Sequence, residues 1–170
     1  EEGMQDLVID LRNNGGGLVD VTCNILDELL PEGLIVYTED KYGNRQEEYS
    51  DAEHYFDGKM AVLVNGNSAS ASEIFAGAIK DYNYGTLIGT TTFGKGIVQS
   101  LFPLEDGDAI KLTTAKYFTP NGNYIHGVGI DPDIELEYEY LDPDGEQYEI
   151  QYDNQVQKAI EVLSEKTQND

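Results

Sequence analysis

Residues 59–82 read KMAVLVNGNSASASEIFAGAIKDY, and the order of their parts decides the architecture. Met60 to Val64 are contiguous apolar residues, which predicts a strand. Asn65, Gly66 and Asn67 break the run, as turn-forming residues do. Beyond them Ile74, Phe75 and Ile79 recur at helical spacing, which predicts a helix over SEIFAGAIKDY. A strand that turns at once into a helix is the unit of an α/β core. The junction carries serines on alternate positions, Ser68, Ser70 and Ser72, and then Glu73.

Working outward, QDLVIDLRN reads as a buried strand, since Leu7, Val8 and Ile9 are contiguous apolar residues. Gly15, Gly16 and Gly17 end it. Leu18, Val21, Ile25 and Leu29 then fall at helical spacing over 18–30, and Pro31 stops the helix. GLIVYTE is a strand, and KYGNRQEEYS an exposed hairpin turning at Gly43-Asn44. TLIG is a short strand before the loop TTTFGKG. IVQSLFPL and AIKLTTAKYFT are strands joined across EDGD. PNGN turns into YIHGVGI and DIELEYEY, DPDG turns again at 142–145, and QVQKAIEVLSEK closes the chain as a helix. The order predicts an α/β core with antiparallel additions.

The chain has 170 residues, enough for one domain or a domain with a small appendage. Its 33 acidic and 10 basic side chains give a formal charge of -23. That surface repels phosphate backbones and anionic lipid, which argues against nucleic acid and membrane surfaces as partners. Cys23 is the single cysteine, so no internal disulfide forms, and its neighbours Val21, Ile25 and Leu26 predict a buried side chain. No apolar run approaches the ~20 residues that cross a bilayer, and no signal peptide is present. The sequence opens almost directly into a strand, at LVIDL, so we expect a piece of a longer protein.

Ser70 has two readings. Ser70-Ala71-Ser72-Glu73 fits the capping box S-x-x-E at a helix start, which requires no catalysis. A serine at a strand-to-helix junction is also well presented as a nucleophile, because the helix N–H groups can stabilise an oxyanion. A nucleophilic serine needs a base. The two histidines are poor candidates: His54 sits in the polar stretch DAEHYFD and His126 in YIHGVG, neither beside an informative acid. Two histidines and one cysteine also lack metal-site spacing. Lysine serves as a base only when burial makes the ammonium unfavourable. Lys95 is the lysine flanked by glycines and apolar residues, in Phe93-Gly94-Lys95-Gly96-Ile97-Val98; its competing reading is a solvated loop lysine. Gln99 follows four residues later, a spacing that keeps both side chains on one face, and its neutral amide could orient the amine. The run Gly15-Gly16-Gly17 lacks a full phosphate-binding motif, and its N–H groups could equally form half of an oxyanion hole.

Together these segments resemble the C-terminal processing (tail-specific) serine peptidases over roughly residues 5–135. Asp10-Leu11-Arg12-Asn13-Asn14-Gly15-Gly16-Gly17 is similar to the family's D-L-R-x-N-x-G-G loop, with glycine at Gly15 where the family usually has proline. Ser68 to Ile74 resembles its nucleophile segment, and Thr92 to Gly96 with Gln99 its general-base segment. Thr119-Pro120-Asn121-Gly122 and His126 to Ile130 with Pro132-Asp133 resemble its closing strands, and Asp153 to Leu163 the helix that often follows. The resemblance implies Ser70 as nucleophile, Lys95 as general base, Gln99 as the residue orienting that lysine, and Gly16 and Ala71 as oxyanion donors, with Gly17 a substitute for Gly16. Ser68 and Ser72 fall to supporting or capping roles. It implies a crotonase/ClpP-like α/β core, a mixed sheet flanked by helices with antiparallel hairpin additions. Residues 1–135 would form that peptidase core, with 136–170 an acidic hairpin and helix packed on it.

The activity so implied is cleavage of unfolded or flexible protein C-terminal tails, with no metal or cofactor. A PDZ domain would stand in cis in the parent protein, which would act in the periplasm or at the cell surface, membrane-anchored; a homo-oligomer stays open. Three other readings compete. One is a non-catalytic peptide-binding module on the same fold. Another is an acyl-CoA enzyme of the wider crotonase group, which would want basic residues for the CoA phosphates. The third is a Ser–His hydrolase using His126.

Overall fold

A computed structural model describes residues 3–165 except 52, 143, 144 and 146, so the turn expected at 142–145 lies partly outside the described residues. In chain order the elements are β1 (Asp6–Asp10), α1 (Val19–Asp27), β2 (Gly33–Asp40), β3 (Arg45–Ser50), β4 (Lys59–Val64), α2 (Ala71–Asp81), β5 (Thr86–Gly89), β6 (Ile97–Pro103), β7 (Ala109–Phe118), β8 (Ile134–Glu135) and α3 (Asn154–Glu165). They form two four-stranded sheets, β1-β4-β5-β8 and β3-β2-β7-β6. The first is parallel throughout and the second antiparallel throughout.

Parallel strands are buried on both faces, so their sequences are continuously apolar. On one face Met60, Val62, Val64 and Leu87 pack against Leu26 of α1, Ile74, Phe75 and Ile79 of α2, and Ile35 and Tyr117 of the antiparallel sheet. On the other, Ala61, Leu63 and Ile88 pack against Ala159 and Leu163 of α3. The α/β architecture expected from the sequence is present, with parallel and antiparallel strands sorted into separate sheets.

Two expectations change. The periodic residues Leu18, Val21 and Ile25 are 68%, 48% and 48% exposed, and Cys23, Leu26 and Leu30 face the core instead. The segment is apolar on both sides, so periodicity marks the helix without choosing its buried face. Within DIELEYEY, read as one strand, pairing among the described residues is confined to β8 and one bridge between Tyr140 and Asp153. The four-residue strand β5 offers β8 only Ile88 and Gly89 as partners, which limits how much of DIELEYEY can pair.

Candidate active site

In a parallel sheet the loops leaving the carboxyl ends of the strands gather on one edge, where sites form. Here β4 lies between β1 and β5. The serine loop leaves β4, the glycine loop leaves β1 and the Thr92–Gly96 loop leaves β5. Segments tens of residues apart in sequence therefore meet around the serine junction.

The three serines separate by environment. Ser68 is fully buried; its Oγ donates to the Leu11 carbonyl at 2.8 Å and accepts from the Asn65 N–H at 3.0 Å. Ser72 is buried and donates to the Asn14 carbonyl at 3.0 Å. Both tie the β4–α2 turn to the β1 loop. Ser70 is half-buried and stands at φ 60°, ψ -118°. A non-glycine residue there costs on the order of 1–3 kcal/mol, and such strain persists only where surrounding contacts enforce it.

Glu73 supplies much of that enforcement. It is fully buried, and four donors converge on it. Its Oε2 accepts the Ser70 N–H at 2.9 Å and the Lys95 N–H at 2.8 Å. Its Oε1 accepts the Thr92 hydroxyl at 2.6 Å and the Gly94 N–H at 2.7 Å. The carboxylate end of the expected capping box thus reaches beyond its own helix to the Lys95 loop. Tyr117 makes a second tie: its hydroxyl lies 3.1 Å from the Ser70 carbonyl and donates to the Lys95 carbonyl. Burial, with the nearby Glu73 charge, pushes the Tyr117 hydroxyl far above its ordinary range, so it remains a donor at neutral pH.

A cleft of about 200 Å³ is lined by Ser70, Lys95, Gln99, Gly17, Lys111 and Tyr117, among others. It brings the expected nucleophile, base and orienting amide together. A register shift between Val98 and Gln99 on β6 re-aims successive residues, and Ile97, Val98 and Gln99 all border the cleft. Gly94, at φ 84°, and Gly96 let the Lys95 loop lie against backbone: an added Cβ would meet the Gly129 nitrogen at 2.9 Å and the His126 nitrogen at 2.8 Å, respectively. His54 and His126 are exposed and border no part of the cleft. A larger cavity of about 370 Å³ between β2 and β7 holds neither serine nor histidine, so size does not mark the site.

The expected oxyanion donors sit side by side. Gly16, at φ 91°, lies so close to the serine turn that a Cβ would meet the Ala71 nitrogen at 2.8 Å and the Ser70 Cβ at 2.9 Å. Ala71 is the first residue of α2, where backbone N–H groups lack helical partners. The Gly16 N–H donates to Asn14 Oδ1 at 3.0 Å, while Gly17 is the glycine that borders the Ser70 cleft. Glu73, Tyr117 and Lys111 join the site without a sequence motif that assigns them to it. The one signal for Glu73 was its capping-box position; the other two gave none.

A serine on a strained strand-to-helix turn, beside a lysine at the carboxyl edge of a parallel sheet, suits nucleophilic hydrolysis. The chain belongs to peptidase family S41, whose family model matches residues 1–136. It is 47% identical over 137 residues to a carboxyl-terminal-processing protease of Synechocystis sp., covering 81% of this chain and 32% of that protein. It is 36% identical over 170 residues to a probable CtpA-like serine protease of Staphylococcus aureus, covering 95% of this chain and 34% of the other. Among solved structures, the photosystem II D1 C-terminal processing protease superposes with a TM-score of 0.77 at 40% identity, covering 83% of this chain and 37% of that one. The chain thus spans about a third of the length of these relatives.

Proposed function

We propose that this chain is the catalytic core of a serine endopeptidase that cleaves flexible protein C-terminal tails. The observation that carries the reading is the shared cleft of half-buried Ser70 and Lys95, built on backbone that Glu73 holds from both sides. In this reading Lys95 Nζ takes the proton from Ser70 Oγ. The oxygen attacks a peptide carbonyl. The Ala71 N–H, first of its helix, and the Gly16 N–H receive the tetrahedral oxyanion, Gly16 exchanging its bond to Asn14 for the new charge. Lys95 then protonates the leaving amine, and water hydrolyses the acyl-enzyme. Gln99 keeps the amine aimed at the serine.

Residues 1–135 would form the peptidase core, with the segment from 136 packed on it and a PDZ domain in cis in the parent protein presenting the tail. An extracytoplasmic site of action, in the periplasm or at the cell surface, follows the same reading. The test is cleavage of an unstructured peptide with an apolar C-terminus by the parent enzyme, with Ser70→Ala and Lys95→Ala. Both variants should fold, and turnover should fall by on the order of 10⁴-fold. A Ser70→Ala enzyme that still cleaves would leave Ser70 a helix cap. A wild type that binds the peptide without cleaving it, with Ser70→Ala losing that binding, would favour a binding module.

A further inference from the structure

Arg12 stands two residues beyond β1, at the start of the turn that leads through Asn13 and Asn14 to Gly16. Among the described residues, six hydrogen bonds hold Arg12. Its backbone N–H and Nε donate to Asp10 Oδ1, both at 2.9 Å, and Nη2 to Asp10 Oδ2 at 2.7 Å. The other three come from the far end of the chain. Nη1 donates to Asp153 Oδ1 at 3.1 Å and to Gln155 Oε1 at 3.0 Å, and Nη2 to Asp153 Oδ2 at 2.8 Å.

Asp153 is fully buried and Arg12 nearly so, with 10% of its side chain exposed. Tyr148 donates its hydroxyl to Asp153 Oδ2 at 2.9 Å. The N–H groups of Gln155 and Val156 donate to Asp153 Oδ1 at 3.0 Å each, so the same carboxylate caps α3. The ring of Tyr138 lies 5.2 Å from the guanidinium carbon. Much of the segment beyond residue 136, where the match to the family model ends, is thus gathered around one arginine of the glycine loop.

The loop is gripped from its other side by the serine turn. Asn13, at φ 59°, donates its N–H to Asn65 Oδ1 at 3.0 Å, and its side chain accepts from Asn65 and Asn67 at 3.1 and 2.9 Å. The Asn14 carbonyl accepts the Ala69 N–H and the Ser72 hydroxyl, both at 3.0 Å. The strand of loop that presents Gly16 to Ser70 is therefore suspended between the nucleophile turn and the N-terminus of α3. A bidentate arginine–carboxylate pair fixes orientation as well as distance, which a single contact does not.

We infer that Asp153 and Arg12 are positioning residues for the reaction: the C-terminal segment, through this pair, sets where the glycine loop stands against Ser70. The inference rests on the Ser70 reading above. It goes beyond docking of a tail, because the contact is made to the loop that would receive the oxyanion and not to a remote face of the sheet. A group displaced by about 1 Å from its productive place can cost about 10²-fold in rate. Oxyanion contacts act in the transition state, so their loss lowers kcat and spares KM.

The test uses the full-length parent enzyme and a flexible peptide with an apolar C-terminus. Asp153→Asn keeps the size of the side chain and an acceptor for the α3 N–H groups, and removes the charge that Arg12 grips. We expect kcat to fall about 10- to 100-fold with KM within about 2-fold of wild type. Arg12→Gln should fall similarly, and the double variant should be no worse than the worse single, since the two act as one unit. Should Asp153→Asn fail to fold, Tyr148→Phe removes one bond to Asp153, and Gln155→Ala removes the bond from Arg12 together with one to the Leu136 carbonyl; each should lower kcat by about 2- to 5-fold at constant KM. A normal kcat per folded molecule in all the folded variants, even with a lowered melting temperature, overturns the inference. Ser70→Ala is measured alongside. If it retains turnover, the underlying site fails and this proposal with it. If it is inactive while Asp153→Asn is fully active, only the role of the C-terminal segment fails.

Discussion

Each oxygen of Glu73 accepts two donors, one set from the serine turn and the Lys95 backbone, the other from Thr92 and Gly94. An amide cannot reproduce this. In Glu73→Gln one oxygen becomes an NH₂ group facing two donors in a fully buried site. The substitution should destabilise the fold by on the order of 3 kcal/mol and lower turnover, because either the Ser70 and Lys95 N–H groups or the Gly94 N–H lose their acceptor. Urea unfolding with an activity assay on the surviving folded fraction checks both, and an unchanged midpoint would count against the anchoring role. Sequence reading stops short of this residue for a physical reason. A capping box is a local pattern, whereas the partners Thr92, Gly94 and Lys95 lie 19, 21 and 22 residues away. Ser70 and Lys95 stand out as candidates because each sits in a local context, a helix start and a glycine-flanked loop, but that context leaves a cap and a solvated lysine open, and the family resemblance selects them. Arg12 is visible as part of a motif, but nothing local points to a partner 141 residues distant.

At the level of elements, the apolar runs and turn residues foretell β1, β2, β4, β5, the β6–β7 hairpin and the three helices, since periodicity and turn chemistry are local. Which face of α1 is buried and how far β8 extends depend on neighbours, and the sequence is silent there. The glycine-rich loops show the same division, for glycines alike in sequence differ in what surrounds them. Gly94 combines φ 84° with a Cβ position 2.9 Å from the Gly129 nitrogen. Gly94→Ala meets both a left-handed backbone cost of about 1–2 kcal/mol and a backbone clash. It should therefore destabilise by about 2 kcal/mol or more and impair turnover by displacing Lys95. Gly15 has open space around its Cβ and no positive φ. Gly15→Ala should leave the native loop intact and stabilise by about 0.4–1 kcal/mol through the unfolded chain. Paired denaturant titrations read the opposite signs, and a neutral Gly94→Ala would mean that the Lys95 loop tolerates displacement.

Over the whole molecule, the segment from residue 136 closes the parallel sheet with α3 and reaches Arg12 with Asp153, so its attachment should depend on pH. Burial alone would raise the Asp153 carboxyl, but hydrogen bonds from Arg12, the Val156 N–H and Tyr148 outweigh it and hold it below the usual carboxylate range. Arg12 is affected conversely: burial would lower it, and its bonds to Asp10 and Asp153 raise it well above its ordinary value. It stays charged throughout, so Asp153 sets the pH window. A carboxyl depressed in the folded state contributes stability that is fully present above its unfolded pKa, about 3.9, and is lost as pH falls through the folded value. A second trend runs the other way. With a formal charge of -23, protonating other carboxylates relieves self-repulsion as the solution is acidified. The raw stability of the wild type mixes the two, whereas its difference from Asp153→Asn cancels most of the general term. That difference should be constant from about pH 7 to about pH 5 and shrink steadily below about pH 4. Urea unfolding of both proteins at fixed ionic strength across this range measures it. A difference that stays flat down to the lowest pH would mean that the carboxylate contributes through its shape and caps alone, and that its charge does not hold the C-terminal segment to the glycine loop.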